Sequence, residues 1–260
     1  MEEFVMSKTL KGKKIVNFGD SIFGNFHAPE DISSFIAKKT GATVYNVGFG
    51  GCRMSEHSLP QFDRFCMYRI AHSVTTRDFS LQDESFSYEP IGEALPAYFG
   101  GNLELLKSID LSKVDIATIA YGTNDFTAGQ RIEGEDKYDI TTYAGALRYS
   151  IETIKQVYPN LILVLCSQTY RFWRNADGSF LSHSHDRVIK DQTLPEFCKK
   201  TEEIAKEYGL LYIDNYNDSG INESTRGECF SATDGTHPIA HGRELIAESI
   251  SKALLENYGE

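Results

Sequence analysis

The sequence predicts an α/β protein whose parallel sheet is covered by helices on both faces. Short apolar, β-prone runs alternate with amphipathic helical patterns along the whole chain, and this alternation is typical of parallel sheets built from strand–helix–strand units. The run from Leu161 to Cys166 is apolar throughout, which indicates a strand that is buried on both faces. A chain of 260 residues, 41% of them hydrophobic, is large enough to bury such a sheet.

Five strands are expected, because five short runs are rich in branched and aromatic residues. These runs are residues 14–18, 43–47, 114–120, 161–166 and 210–214. Helices are expected where apolar residues recur at helical spacing between the runs. These segments are residues 29–40, 103–109, 141–158, 194–208 and 238–256. Gly41 and Gly209 directly follow two of them, as glycine often does at the end of a helix.

Residues 55–101 interrupt this alternation. The segment is rich in aromatic residues and has no apolar periodicity that would close a core of its own. We therefore expect a single domain over residues 1–260, with an irregular insertion at about 55–101 that contains one or two short helices. Residues 167–190 are expected to form a loop. No internal repeat and no low-complexity linker divides the chain.

The formal net charge of −11 restricts the class of partner. A protein this acidic is a poor candidate for binding nucleic acid or an anionic membrane surface, and no apolar run is long enough to cross a bilayer. The first ten residues lack the pattern of a secretory signal. The five cysteines are odd in number and show no C-x-x-C spacing. Free thiols and a cytoplasmic location are therefore expected, with a removed signal peptide as an open alternative.

Four loops that follow expected strands carry residues suited to catalysis. In chain order they supply Ser21, a glycine-rich stretch that ends in Gly51, then Asn124, and finally Asp234 with His237. The carboxyl ends of parallel strands lie along one edge of a sheet, and ligands bind there. Loops that are far apart in sequence can therefore converge on one site, which is a stronger indication than any single motif.

These residues match what acyl transfer requires. A serine hydroxyl needs a base to take its proton, usually a histidine that a carboxylate holds in one tautomer. The tetrahedral intermediate needs preorganised N–H donors for its oxyanion. Ser21 can attack, His237 can accept its proton, and Asp234 lies close enough in sequence to orient the imidazole. The Gly51 amide and the Asn124 carboxamide can donate hydrogen bonds to the oxyanion.

The four blocks resemble those of the SGNH (GDSL-type) hydrolase superfamily, and they occur in the same order. They are Gly19-Asp20-Ser21, residues 46–51, Gly122-Thr123-Asn124-Asp125 and Asp234-Gly235-Thr236-His237. The resemblance spans residues 14–254, nearly the whole chain. It implies a three-layer α/β/α, flavodoxin-like fold with a parallel five-stranded sheet of order 2-1-3-4-5.

The resemblance also implies a role for each residue. Ser21 would be the nucleophile, His237 the base, and Asp234 the group that supports the base. The oxyanion hole would consist of the N–H groups of Ser21 and Gly51 together with the side chain of Asn124.

One donor of this oxyanion hole is not fixed by the motif. The spacing from Asn46 favours Gly51, but Gly48 and Gly50 are alternatives. Asp125 is expected to be structural, bracing its loop by bonds from backbone groups to its side chain.

Residues 167–190 contain two further stretches of interest. Tyr170, Arg171 and Trp173 are candidate substrate-binding residues, because aromatic faces suit sugar rings and arginine suits carboxylate or phosphate. The alternative is that these aromatic side chains pack onto the body of the protein.

His183 and His185 alternate along the chain, as two metal ligands in an extended segment can do. A polar loop that contains histidines by chance is the commoner case, so no metal is assigned.

The sequence therefore predicts a serine esterase that hydrolyses small acyl esters. O-acetyl groups on carbohydrate are the preferred substrate class, because of residues 170–174 and because features of membrane binding are absent from the sequence. The alternatives are a lysophospholipase or thioesterase for longer acyl chains and, in a different class, a non-catalytic carbohydrate-binding protein on the same fold. The expected partner is a small-molecule or carbohydrate ester. No cofactor, metal, nucleic acid or membrane partner is expected, and the oligomeric state is left open.

Overall fold

The central feature of the structure, a computed structural model that describes residues 8–87 and 89–260, is a five-stranded parallel sheet. The prediction about a secretory signal concerns residues that lie mostly outside the described ones. In chain order the strands are β1 (Lys14–Gly19), β2 (Thr43–Asn46), β3 (Ile116–Ala120), β4 (Ile162–Cys166), β5 (Phe172–Arg174), β6 (Phe180–His183) and β7 (Leu211–Ile213). The sheet has the order β2-β1-β3-β4-β7, with every pair parallel. Since β7 is the fifth strand of this sheet, the predicted order 2-1-3-4-5 is confirmed.

Helices cover both faces of the sheet, which confirms the three-layer architecture. In the described part of the chain they are α1 (Ser21–Gly24), α2 (Ile32–Thr40), α3 (Pro60–Asp63), α4 (Met67–Thr76), α5 (Ser80–Glu84), α6 (Phe99–Ser108), α7 (Thr123–Ala128), α8 (Tyr143–Val157), α9 (Leu194–Tyr208), α10 (Asn215–Asp218), α11 (Arg226–Cys229) and α12 (Ala240–Tyr258). A turn of 3-10 helix at Leu111–Lys113 precedes β3. Gly41 and Gly209 end α2 and α9 in the left-handed conformation, as the sequence predicts.

The side chains of β1 alternate between two hydrophobic cores. Val16 and Phe18 belong to a core that also contains the apolar faces of α4, α6, α8 and α9. Ile15 belongs to a second core, on the other face, which α2 and α12 close. Because β1 is buried from both sides, its carboxyl end is a rigid support for the residues that follow it.

The insertion between β2 and β3 is more regular than the sequence suggests. One or two short helices were expected within residues 55–101, whereas α3, α4 and α5 all lie there and α6 begins at Phe99. Helix α4 packs on α8, and its residues Ile70, Ala71 and Val74 are fully buried. Its sequence also carries β-branched and aromatic residues of modest helix propensity. The burial of one face therefore stabilises α4 more than local preference does.

The expected loop after β4 contains a β-hairpin. Strands β5 and β6 pair antiparallel and form a second, two-stranded sheet. The turn between them includes Asp177-Gly178, a frequent hairpin signal that lies here between short runs containing Phe172 and Phe180.

Two further predictions concern membrane-spanning segments and the state of the cysteines. No helix formed by the described residues combines the length and the apolar character that a bilayer span requires. All five cysteines are buried and free, as the sequence predicts.

Candidate active site

Ser21 is the first residue of α1, and only Asp20 separates it from the end of β1. The side chain of Asp20 accepts a hydrogen bond from the N–H of Ile22 and so caps the helix. Ser21 is only 6% exposed, and no partner for its own N–H occurs within residues 8–87 and 89–260. The hydroxyl is thus held at the junction of a buried strand and a capped turn.

His237 and Asp234 lie in the loop between α11 and α12 and complete a chain of hydrogen bonds with Ser21. The Nε2 atom of His237 is 2.8 Å from Ser21 Oγ, and its Nδ1 atom is 2.7 Å from Asp234 Oδ2. The other oxygen of Asp234, Oδ1, accepts hydrogen bonds from the N–H groups of Thr236 and His237. The carboxylate therefore holds both the imidazole ring and the loop that carries it.

These hydrogen bonds also determine the charge of Asp234. Partial burial acts to raise its pKa, but the bonds from His237 and from the two backbone N–H groups outweigh burial and lower the pKa to about 2. Asp234 is therefore ionised across the range in which enzymes are commonly assayed. A negative charge next to Nδ1 favours a proton on that nitrogen and leaves Nε2 free to accept one.

Three glycine amides follow β2, and two of them are already engaged. The N–H of Gly48 donates to the Asn46 side chain at 3.2 Å, and the N–H of Gly50 donates to the Tyr98 hydroxyl at 2.8 Å. In the described part of the chain the N–H of Gly51 has no partner. Gly51 has a φ of +76°, a conformation that favours glycine. The geometry favours Gly51 over the other two as a donor to a ligand.

Asn124 and Asp125 connect the start of α7 to this glycine-rich loop. One N–H of the Asn124 carboxamide donates to the Cys52 carbonyl at 2.8 Å, which leaves the second N–H for another acceptor. The Asp125 carboxylate accepts from the N–H of Met54, the N–H of Ser55 and the Ser55 hydroxyl. The prediction that Asp125 is a structural brace is confirmed. Burial raises the pKa of Asp125, and its three hydrogen bonds oppose that effect.

Asp20 is a second buried carboxyl group, and it is next to Ser21 in the chain. It is almost fully buried, and this burial raises its pKa to about 6 although the Ile22 N–H bond acts in the opposite direction. The side chain thus changes charge within a pH range that the protein can experience. Its position next to Ser21 makes it part of the electrostatic environment of the site.

A cleft of about 330 Å³ opens in front of Ser21 and His237. Its walls come from five loops at the carboxyl edge of the sheet and from the insertion. The lining residues are Ser21, Asn25, Gly50, Gly51, Phe62, Glu93, Pro96, Asn124, Thr127, Arg171, Thr236 and His237. Only Phe62 and Pro96 present apolar side chains. The cleft is therefore small, and most of the residues that line it are polar.

The three candidate substrate-binding residues have different positions. Arg171 lines the cleft. Tyr170 is only 3% exposed, belongs to the core beneath the sheet, and shares a hydrogen bond with His183. Trp173 is not a lining residue; its ring packs against Phe126 and against the Arg171 guanidinium. Of the three candidates, only Arg171 therefore lines this cleft, and Tyr170 and Trp173 do not. Tyr170 is next to Arg171 in an extended segment, so its side chain points to the opposite side. Trp173, two residues after Arg171, lies on the same side as Arg171 and packs against its guanidinium outside the cleft lining.

The two histidines of the hairpin lie away from the cleft. His183 and His185 stack with ring centroids 5.2 Å apart, and both contact the Glu223 carboxylate. Within the described ranges no group of three or more His, Cys, Asp or Glu side chains is arranged to hold a metal ion.

Several residues of the cleft have no signal in the sequence. Phe62, Glu93 and Tyr98 belong to the insertion, which has no recognisable motif, and only tertiary packing brings it over the glycine-rich loop. Thr127 follows Asn124 by one helical turn and therefore lies on the same side of α7. That spacing could have identified Thr127.

Comparison with known proteins gives a family and a set of structural relatives. The family model described as GDSL-like Lipase/Acylhydrolase matches residues 15–250. No curated protein matches. A protein from Lactobacillus plantarum is similar in structure, with a TM-score of 0.65, 16% identity, and coverage of 96% of this chain and 99% of the other. A carbohydrate acetylesterase from Sinorhizobium meliloti has a TM-score of 0.58 and 14% identity over 95% and 100% of the two chains. An aryl esterase from M. smegmatis has a TM-score of 0.54 and 14% identity, with coverage of 92% of this chain and 97% of the other.

Replacement of Asp125 by asparagine should destabilise the protein strongly. The amide nitrogen would face an N–H or O–H donor, so at least one buried hydrogen bond would be lost, at a cost of about 2–4 kcal/mol in the free energy of unfolding. Urea unfolding measures this cost. Asp110→Asn, at an exposed cap, is the matched control and should cost less than about 1 kcal/mol. Equal losses in the two variants would contradict the bracing role of Asp125.

Replacement of Asp20 by asparagine should change how stability depends on pH. The folded state raises the pKa of Asp20 from 3.8 to about 6, so it binds the proton more tightly than the unfolded chain does. The contribution of Asp20 to stability is therefore largest below about pH 4, falls as the pH rises to about 6, and is constant above that. Asparagine still accepts the Ile22 N–H but does not titrate.

The free energies of unfolding of wild type and Asp20→Asn should be compared from pH 4 to pH 7. The free energy of unfolding of the variant should rise relative to that of the wild type by about 2–2.5 kcal/mol between pH 4 and pH 7. Taking the difference between the two proteins cancels the opposite effect of Asp234 and other groups. Parallel profiles would show that the buried carboxyl group does not titrate as stated.

Proposed function

Because the chain belongs to the GDSL-like lipase/acylhydrolase family, we propose that it is a serine ester hydrolase with Ser21 as nucleophile, His237 as base and Asp234 as its support. The observation that carries this proposal is the chain of two hydrogen bonds, 2.8 Å and 2.7 Å long, from the Ser21 hydroxyl through His237 to Asp234. A binding protein does not need this arrangement. A nucleophile does, because its proton must leave as the new bond forms.

The reaction begins with attack of Ser21 Oγ on the ester carbonyl. As the bond forms, the hydroxyl proton passes to Nε2 of His237, and the ionised Asp234 stabilises the resulting imidazolium. The tetrahedral intermediate then collapses, and His237 returns the proton to the leaving alkoxide. An acyl group remains on Ser21, and the alcohol leaves on the side of His237.

The second half of the reaction releases the acyl group. A water molecule attacks the acyl-serine carbonyl and gives one proton to Nε2 of His237. Collapse of the second tetrahedral intermediate releases the carboxylic acid, and the proton returns to Ser21 Oγ. The same base thus serves both halves, as a single serine–histidine pair does in acyl transfer generally.

The oxyanion of both intermediates needs donors that are already in place. We assign this role to the N–H of Ser21, the N–H of Gly51 and the second N–H of the Asn124 carboxamide. The first two have no partner in the described residues, and the third remains after Asn124 has bonded to Cys52. Donors held by the fold do not have to reorganise when charge develops, which is the source of their catalytic effect.

We propose small acyl esters of polar alcohols as substrates, with O-acetyl groups on carbohydrate as the preferred class. The cleft of about 330 Å³ has two apolar side chains among its lining residues, which supports a short acyl group over the long chain of a lysophospholipid or thioester. Its polar lining suits a hydroxylated alcohol. The activity named for the structural relative from Sinorhizobium meliloti agrees with this class. The aromatic residues 170 and 173 no longer support it, since neither lines the cleft.

We further propose that the insertion and the sheet act as one domain in the cytoplasm. Phe62, Pro96 and Glu93 line the cleft together with residues of the sheet edge, so the insertion forms part of the same site. The five free, buried cysteines agree with a reducing compartment.

The proposed chemistry is tested with 4-nitrophenyl esters of increasing acyl length. Wild type should hydrolyse the acetate fastest and lose activity as the acyl chain grows. Ser21→Ala should lower kcat by about 10⁴-fold or more, because removal of a triad member has effects of this size. A circular dichroism melting curve should be nearly unchanged. Substantial activity in purified Ser21→Ala would refute the serine mechanism, and a preference for long acyl chains would refute the proposed acyl group.

Replacement of Asn124 by alanine tests the oxyanion hole separately. The loss of one donor should lower kcat by about 10²- to 10³-fold with little change in KM, because the bond forms mainly in the transition state. Steady-state kinetics on the acetate ester measure both constants. If kcat stays within a few-fold of wild type, another group stabilises the oxyanion.

A further inference from the structure

Arg171 is a buried cation in the wall of the catalytic cleft. It is 8% exposed and lines the cleft together with Ser21 and His237. Burial lowers its pKa to about 10, against the nearby charges of Asp20 and Asp234. The guanidinium therefore remains positive at neutral pH, at a site from which most water is excluded.

No carboxylate among residues 8–87 and 89–260 forms an ion pair with Arg171 within 4 Å. The nearest acids are committed elsewhere, Asp20 to the Ile22 N–H and Asp234 to His237. Buried charges are normally paired, because an isolated charge costs several kcal/mol of desolvation. Within the fold Arg171 interacts with the charges of Asp20 and Asp234 only at longer range, so its guanidinium remains available to pair directly with an anionic group of a ligand in the cleft.

The hydrogen bonds of Arg171 fix its plane and leave donors free. Nη1 donates to the Thr127 hydroxyl at 3.0 Å, and Nη2 donates to the Thr236 hydroxyl at 2.6 Å. The Trp173 ring supports the guanidinium from 4.4 Å. Each terminal nitrogen keeps a second N–H, and Nε has no partner in the described residues. A planar guanidinium with two uncommitted terminal N–H groups matches a carboxylate.

We propose that Arg171 binds a carboxylate on the alcohol half of the ester substrate, an inference that rests on the proposed esterase function. The alcohol half is indicated because Thr236, which holds Nη2, directly precedes His237, and His237 must protonate the leaving alkoxide. A singly charged carboxylate is favoured over phosphate. Glu93 is exposed at the rim of the same cleft, and the chain carries a net charge of −11, so a second negative charge on the ligand would be repelled.

The test compares phenyl acetate with 3-acetoxybenzoate, which differs only by a carboxylate on the alcohol ring. Alkaline hydrolysis of the two esters supplies the intrinsic reactivity for normalisation. Wild type should favour 3-acetoxybenzoate in kcat/KM by about 10- to 100-fold, as expected for charge-assisted hydrogen bonds. Arg171→Met should abolish this preference, and Arg171→Lys should retain part of it because lysine keeps the charge without the paired donors.

Arg174→Gln, three residues further along the chain at the end of β5, is the matched control. The Arg174 guanidinium lies over Phe172 and donates to the Gly178 carbonyl outside the cleft, so this variant should keep the full preference. An equal kcat/KM for the two esters in wild type would overturn the proposal. A preference that survives in Arg171→Met would do the same, because the carboxylate would then be bound elsewhere.

A measurement on unmodified protein covers the case in which Arg171 variants do not fold. The product 3-hydroxybenzoate should inhibit the hydrolysis of phenyl acetate at a concentration at least 10-fold lower than phenol does, and equal inhibition would overturn the proposal. If wild type hydrolyses neither ester in a Ser21-dependent way, the proposed function itself fails. In that case the affinities of wild type for 3-hydroxybenzoate and for phenol should be compared by calorimetry. Equal affinities would refute the proposal that Arg171 binds a carboxylate.

Discussion

Parallel pairing of β1 with β2 and β3 is the constraint on which the site depends. Asn17 is opposite Asn46, and Gly19 is opposite Ala120, so the three strands end almost level at one edge. The loops that leave this edge are then close enough for side chains to link them. Asn124 and Asp125 provide those links, because they bond to backbone groups of the loop after β2. The sheet places the loops approximately, and the buried polar contacts fix their separation to within a hydrogen-bond length.

The electrostatic character of the site follows from how much of it is buried. Asp20, Asp125 and Arg171 are charged or ionisable groups from which water is largely removed, and hydrogen bonds hold each of them. Asp20 accepts from the Ile22 N–H in its own turn, Asp125 accepts from the Ser55 hydroxyl, and Arg171 donates to the Thr236 hydroxyl. In such surroundings charges interact more strongly than in water. Burial of these groups around Ser21 costs desolvation free energy, and it also produces an electrostatic field of fixed direction. Such an arrangement is common in catalytic sites.

Much of the fold and of the site could be predicted from the sequence, for physical reasons that also explain the failures. The five strands are strongly apolar and short, and their order followed from a family resemblance that the family model supports. Ser21, Asn124, Asp234 and His237 lie in short motifs next to strand ends, so topology alone brings them together. Residues far from such ends have no comparable rule. The directions of Tyr170 and Trp173 depend on the β5–β6 hairpin, and the choice among three glycines depends on the Tyr98 hydroxyl of the insertion.

The contact of Tyr98 with the glycine-rich loop links the insertion to two turns at the carboxyl edge of the sheet. Its hydroxyl accepts from the Gly50 N–H and donates to the Asn25 side chain, just after α1. The insertion therefore connects the turn that carries Ser21, the proposed nucleophile, to the turn that carries Gly51, a proposed oxyanion donor. Chimeras with new specificity could be made by replacing this insertion with that of another enzyme of the same architecture. The replacement segment would then need a hydroxyl group at the position of Tyr98.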